Sequence, residues 1–175
     1  MKNVFLSLGT NEGNRFDYLF SALKKINENE KNQIEKISSI YESKPYGNVA
    51  TNNFLNLVVK ISSELNPFDL LNFIKNIEKV LGRIERGKWN NREIDIDIIF
   101  YNNLILKEKN LIIPHPYLIE RDFVLIPLSE IASDFLHPEL NKSVSQISDS
   151  IKEKYIIEKY IKQLTIKENN IIEIQ

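Results

Sequence analysis

The chain has 175 residues, enough for one domain with a sizeable core, and its 42% hydrophobic and 27% charged residues make an ordinary globular balance. A formal net charge of −1 offers no positive field for non-specific nucleic-acid binding. The absence of cysteine excludes disulfides and thiolate metal sites, and no apolar run approaches the roughly 20 residues of a membrane span.

Residues 4–8 are apolar and end at Gly9, which predicts a buried strand, and residues 1–9 lack the basic start, apolar core and small-residue cleavage site of a signal peptide. A soluble, cytoplasmic protein is the expectation. Residues 10–14 form a turn cluster. Phe16, Leu19, Phe20, Leu23 and Ile26 recur at helical spacing over residues 15–26. Residues 34–41 are a weaker strand candidate, residues 43–53 a loop with Pro45 and Gly47, and residues 54–61 a strong strand. Asn66-Pro67 signals a helix start, and Leu70, Leu71, Ile74, Ile77 and Leu81 line one face before Gly82 stops it. Residues 83–92 read as a charged loop, 94–101 as a strand, and 111–113 as a strand ended by Pro114-His115-Pro116. Residues 117–131 predict short helical pieces broken by Pro127, and 144–151 another short helix. From about residue 152, Lys and Glu alternate with Ile and Leu without a firm assignment. Helices following antiparallel strands predict one α+β domain over residues 1–175, a ferredoxin-like antiparallel sheet with flanking helices.

The chemistry concentrates in residues 89–100, Trp89-Asn90-Asn91-Arg92-Glu93-Ile94-Asp95-Ile96-Asp97-Ile98-Ile99-Phe100. On a strand, Ile94, Ile96 and Ile98 point into a core while Asp95 and Asp97 share the other face, with Cβ atoms about 7 Å apart. Two carboxylates so placed repel unless a cation lies between them. Magnesium takes one or two protein carboxylates and fills its other positions from water and substrate phosphates. A solvated acidic face produces the same alternation, but Arg83, Arg86, Lys88 and Arg92 precede the pair within one loop. Cations beside a metal site suit phosphoryl chemistry, which is mostly positioning and charge neutralisation. His115 between two prolines reads alone as a turn histidine, as does His137, while Arg121 adds a further cation. Gly9-Thr10-Asn11-Glu12-Gly13 lacks the Gly-Lys-Ser/Thr ending of a P-loop, so phosphates must be held by side chains and metal.

Five blocks in order resemble the 6-hydroxymethyl-7,8-dihydropterin pyrophosphokinase family. They are Leu8-Gly9-Thr10-Asn11-Glu12-Gly13-Asn14; Tyr41-Glu42-Ser43-Lys44-Pro45-Tyr46-Gly47 with Phe54-Leu55-Asn56; Glu78 with Gly82-Arg83; Trp89, Arg92, Asp95 and Asp97; and Pro114-His115 with Arg121, Phe123 and Pro127-Leu128-Ser129-Glu130-Ile131-Ala132. The resemblance implies pyrophosphate transfer from ATP to 6-hydroxymethyl-7,8-dihydropterin in folate biosynthesis, with AMP as product. By position it implies that Asp95 and Asp97 hold a pair of magnesium ions. ATP would be met by Glu78, Arg83, Arg86, Trp89, Arg92, Ile98, His115 and Arg121. The pterin would be met by Ser43, Lys44, Tyr46, Phe54, Asn56, Trp89, Asp95 and Phe123. Arg83, Arg92 and Asp97 are the catalytic candidates. Asp97 as general base stands beside an alcohol activated by metal and position alone.

Three departures from the family pattern bear on the loop. Asn90-Asn91 replaces the usual Gly-Pro, Lys88 stands for an arginine before the tryptophan, and Glu85 stands where a second loop arginine is common. Arg86 is expected to do the work of that arginine on a mobile lid. The alternatives are another metal-dependent nucleotidyl transferase on a ferredoxin-like sheet and an RNA-binding sheet, the latter opposed by the charge balance. The resemblance leaves room for association with other folate enzymes.

Overall fold

The computed structural model describes residues 1–47, 50–87 and 90–174. Its centre is an antiparallel sheet of β1 (Lys2–Thr10), β2 (Asn32–Ile37), β3 (Tyr41–Ser43), β4 (Phe54–Ser63), β5 (Asp95–Tyr101) and β8 (Ile156–Lys159), in the order β5-β1-β4-β3-β8. The weak strand candidate at 34–41 divides in two. β2 pairs with the Ser63 end of β4 and β3 with its Phe54 end, and Ser38 at the break donates its N–H to Val58 O and accepts the Val58 N–H on Oγ.

Helices cover both faces. α1 (Arg15–Asn27) and α2 (Pro67–Val80) bury Leu19, Leu23, Leu70 and Ile74 against Val4, Leu6, Leu8, Leu57, Ile96 and Ile98. On the opposite face α3 (Asp122–Ala132) and α4 (Val144–Asp149) bury Val124, Leu125, Leu128 and Ile147 against Phe5, Val58, Ile99 and Phe100. Pro127 does not break α3 as expected. It lies inside the helix and is itself buried. It removes one backbone donor, and the packed apolar face of α3 outweighs that loss.

The last residues, unassigned from sequence, are strands. β8 pairs with β3, and β9 (Gln163–Lys167) with β10 (Asn170–Ile174) forms a hairpin that adds Leu164 and Ile171 to the α1 and α2 core. β6 (Leu106–Glu108) and β7 (Leu111–Ile113) form a separate hairpin.

The α3 face of the sheet changes character along its length. Phe5, Val58 and Phe100 are core at one end. At the other, the same face of β1, β4 and β5 presents Ser7, Gly9, Asn56, Asp95 and Asp97 to a cleft. A register shift between β1 and β5 leaves Ile99 without a partner, so Ile99 and Phe100 both join the α3 core while Asp95 and Asp97 stay on the polar end.

Candidate active site

The cleft encloses about 550 Å³, within the usual range for small-ligand sites. Gly9 pairs in register with Asn56 on one side and Asp95 on the other, so the three form a row across its floor. With strands about 4.8 Å apart, Asn56 and Asp95 stand roughly 10 Å from each other. The gap between them depends on glycine, since a Cβ on Gly9 would stand 3.1 Å from Asn56 Oδ1.

One half of the cleft is aromatic with amide and hydroxyl edges. Asn56 Nδ2 donates to Ser43 Oγ at 2.8 Å, and both residues are buried. Phe54, Lys44, Tyr46 and Phe123 complete this half, with Tyr46 and Phe123 rings 6.3 Å apart in an edge arrangement. Tyr46 Oη donates to Glu120 at 2.8 Å.

The other half is charged. The end of α2 explains how Arg83 enters it. Gly82, at φ +87°, lets its own N–H return to Lys79 O and the Arg83 N–H to Glu78 O, both at 3.0 Å. That turn aims the Arg83 guanidinium back at Glu78 (2.6 Å) and Asp95 (2.5 Å). Arg92 holds the second Asp95 oxygen at 2.5 Å. Burial works against the Asp95 charge, but Arg92 and Arg83 outweigh it and hold the carboxyl below its ordinary value. Asp97 differs. Burial, then the Asp95 charge, push its carboxyl up to about 6, and among the described residues it accepts no hydrogen bond. His115 Nε2 lies 3.9 Å from Asp97 Oδ2. His115 Nδ1 accepts the Tyr117 N–H at 3.3 Å, which puts the ring proton on Nε2. Burial and then Arg121 push the histidine down to about 4, so it is neutral at pH 7.

Arg121 is sandwiched by Tyr46, Tyr117 and Phe123, its guanidinium carbon 5.1, 5.2 and 5.9 Å from their centroids. Its buried Nε finds no hydrogen-bond partner among the described residues. A donor left unmatched in a cleft is what an anionic oxygen would satisfy. Among the described residues six cations, Lys44, Lys75, Arg83, Arg86, Arg92 and Arg121, face three carboxylates, Glu85, Asp95 and Asp97, around this cleft.

Most of the expected residues therefore converge. Two do not line the cleft. Glu78 lies beneath it, accepting Ile96 N–H (2.7 Å) and Lys75 Nζ (2.9 Å), and burial pushes its carboxyl up. The Ile98 side chain is packed in the α1 and α2 core, on the strand face away from Asp97. Trp89, like Lys88, is outside the described residues. Arg86 does border the cleft, but its guanidinium grips Glu93 with two bonds at 2.7 and 3.1 Å. Sequence reading missed Lys75 and Glu93. Lys75, three residues before Glu78 on α2, was findable from helical spacing; Glu93, one of several charged residues in its stretch, gave no signal of its own. His137 takes a structural place, with Nδ1 accepting the Glu139 and Leu140 N–H groups.

The family model for 7,8-dihydro-6-hydroxymethylpterin-pyrophosphokinase (HPPK) matches residues 5–133. The chain belongs to this family. It is 45% identical over 146 residues to the 2-amino-4-hydroxy-6-hydroxymethyldihydropteridine pyrophosphokinase of Aquifex aeolicus, covering 83% of this chain and 90% of that one. The Haemophilus influenzae protein of the same name is 36% identical over 162 residues, covering 93% and 98%. The bifunctional protein FolKE of Lactococcus lactis (strain MG1363) is 41% identical over 160 residues, covering 90% of this chain and 46% of that one. Among solved structures, wild-type Plasmodium falciparum HPPK-DHPS shares the fold at a TM-score of 0.70 and 20% identity, covering 98% of this chain and 50% of that one. The chain thus spans about half the length of that HPPK-DHPS chain and of FolKE.

Proposed function

We propose that the cleft holds ATP and 6-hydroxymethyl-7,8-dihydropterin together and transfers pyrophosphate to the pterin hydroxyl, releasing AMP. As a family member the chain is a pyrophosphokinase of folate biosynthesis with ATP as co-substrate; the residue roles that follow are our assignments. The observation carrying them is the division of one cleft into an aromatic, amide-edged half and a cationic half that meet at Asp95 and Asp97.

A flat heterocycle suits the first half. Phe54 and Phe123 offer ring faces, while Ser43, Asn56, Tyr46 and Lys44 offer donors and acceptors for its polar edge. The triphosphate suits the second. Arg83 and Arg92 each hold one Asp95 oxygen and keep further N–H groups for phosphate oxygens. Arg121 supplies its unmatched Nε, and neutral His115 donates from Nε2. Glu78 anchors Arg83 and Lys75 from below. Ile98 reaches a nucleotide only through its backbone, and Arg86 only after leaving Glu93. Arg83 and Arg92 neutralise charge that develops as the substrate hydroxyl attacks the β-phosphorus in line and AMP departs.

Asp95 and Asp97 suit a magnesium pair. Both offer oxygen only, and Asp97, held up to about 6 with no hydrogen bond among the described residues, is an anion that a cation would stabilise. Among the described residues no group of three or more His, Cys, Asp or Glu side chains is placed to hold a metal, and magnesium commonly takes one or two protein carboxylates and completes its shell from water and phosphate. When bound, magnesium supplies charge neutralisation at the phosphates. Asp97 or its bound surroundings would take the hydroxyl proton.

Residues 1–175 serve as one such domain in this reading. Among the described residues no helix is long and apolar enough to cross a membrane, and we place the reaction in the cytoplasm. The fused relatives support association with other folate enzymes. Incubation with ATP, the dihydropterin and magnesium, followed by chromatography, should give AMP only when the pterin is present. A chelator should stop it and excess magnesium restore it. Pyrophosphate release in place of AMP would move the chain to a nucleotidyl transferase.

A further inference from the structure

The aromatic half of the cleft is braced by a segment beyond the residues that the family model matches. β8 adds to the free edge of β3, the strand that ends in Ser43, with Tyr41 opposite Lys159 and Ser43 opposite Ile156. The register slips between Glu42 and Ser43, a bulge that ends the regular ladder where the cleft begins and re-aims what precedes it. What precedes it is Tyr155. Its carbonyl accepts the N–H of Lys44 at 2.9 Å. Its ring packs behind two walls of the cleft, 5.4 Å from Tyr46 and 5.9 Å from Phe123, the latter at 90°. Its hydroxyl is engaged outward, donating to Glu153 at 2.6 Å.

A second tie runs from α3. Asp122, fully buried between Arg121 and Phe123, accepts the N–H groups of both Tyr155 (2.8 Å) and Ile156 (3.0 Å) on one carboxylate oxygen. A buried carboxylate spent on the amides of a strand more than thirty residues away fixes that strand against the first turn of α3. Tyr155 thus joins the β3 end of the cleft, through Lys44 and Tyr46, to the α3 end, through Phe123 and Asp122.

We propose that Tyr155 and Asp122 are positioning residues for the pterin: Tyr155 sets the spacing of the Tyr46 and Phe123 walls, and Asp122 holds Tyr155 in place. Neither touches the substrate. The proposal rests on the pterin reading of this half of the cleft. It separates the two ligands, since Tyr155 backs the aromatic half, while Arg83, Arg92 and Asp95 are held by α2, β5 and the loop between them; Arg121, stacked on Tyr46 and Phe123, is the phosphate-side cation that adjoins the Tyr155 walls.

The test measures two affinities by calorimetry in magnesium: that for the dihydropterin with a non-hydrolysable ATP analogue saturating, and that for the analogue itself. It uses the wild type, Tyr155→Ala and Tyr155→Phe. Loss of two aromatic contacts should weaken pterin binding roughly two- to tenfold, with analogue affinity changed less than about twofold. Tyr155→Phe keeps the ring and should restore pterin affinity. Asp122→Asn retains an acceptor for both amides and should bind pterin better than Asp122→Ala; the Tyr155 pair decides the matter if Asp122→Ala does not fold. Wild-type pterin affinity in Tyr155→Ala, or equal weakening of both ligands with a lowered melting temperature, would overturn the proposal and leave the pyrophosphokinase reading standing. A wild-type chain that binds the analogue but no pterin would overturn both.

Discussion

Asp95 and Asp97 share a strand face but not an environment. Asp95 is saturated by Arg83 and Arg92, whereas Asp97 accepts no hydrogen bond among the described residues and is held up to about 6. Asp97→Asn removes an unfavourable charge and should leave the melting temperature unchanged or slightly raised. It should lower kcat about a hundredfold or more, since even groups that merely support metal ligands are worth 10–100-fold. A fully active Asp97→Asn enzyme in saturating magnesium would remove Asp97 from the site. Glu93 makes a contrasting prediction. Its hydrogen bonds from Arg86 lower the carboxyl to about 2, from an ordinary 4.5. A carboxyl lowered by folding adds stability above its unfolded value and loses that contribution as pH falls through the folded one. The melting-temperature gap between wild type and Glu93→Gln should therefore be full above pH 4.5 and close as pH drops towards 2. At this scale strand alternation made the paired carboxylates readable in sequence. The Arg86–Glu93 pair was not, because it depends on how a loop folds back upon itself.

The loop from Arg83 to the start of β5 is tethered at several points. Asn91, where proline is usual in the family, accepts the Asn11 side-chain N–H at 2.8 Å and the Thr51 N–H at 3.1 Å, and donates to Thr51 Oγ1 at 3.2 Å. Proline has no side-chain amide and makes none of these bonds. The expected weakly held lid is therefore fastened by Asn91 and by Arg86 on Glu93. Asn91→Ala should speed amide hydrogen exchange in residues 83–87 at least several-fold while protection in β1 and β4 stays constant. Arg86→Ala should lower turnover more than it lowers nucleotide affinity, and Glu85→Ala should be nearly silent; steady-state kinetics on both variants check this. An Arg86→Ala enzyme with normal turnover would leave Arg86 a fastening of the loop and nothing more. Elements with strong periodicity, α1 and α2 above all, were readable to within about two residues. β8 was not, because as an edge strand it is exposed at nearly every position, so its burial never alternates.

At the scale of the whole molecule the last strands are part of the core. Leu164 and Ile171 are buried with α1 residues, 4% and 6% exposed. Ile171→Ala should cost about 2–4 kcal/mol in denaturant unfolding, with one transition retained; a cost below about 0.5 kcal/mol would mark the hairpin as an appendage. The α+β architecture was readable because each helix and most strands carry their own period. The place of the last segment was not, because its partners lie in β2, β3 and α1, far away in sequence. That separation matters for a chain made one residue at a time. Tyr41 meets Lys159 across the sheet, and ribosomes add about 5–20 residues each second. The edge of β3 would wait on the order of ten seconds for its neighbour to emerge, with unpaired amides open to other chains throughout.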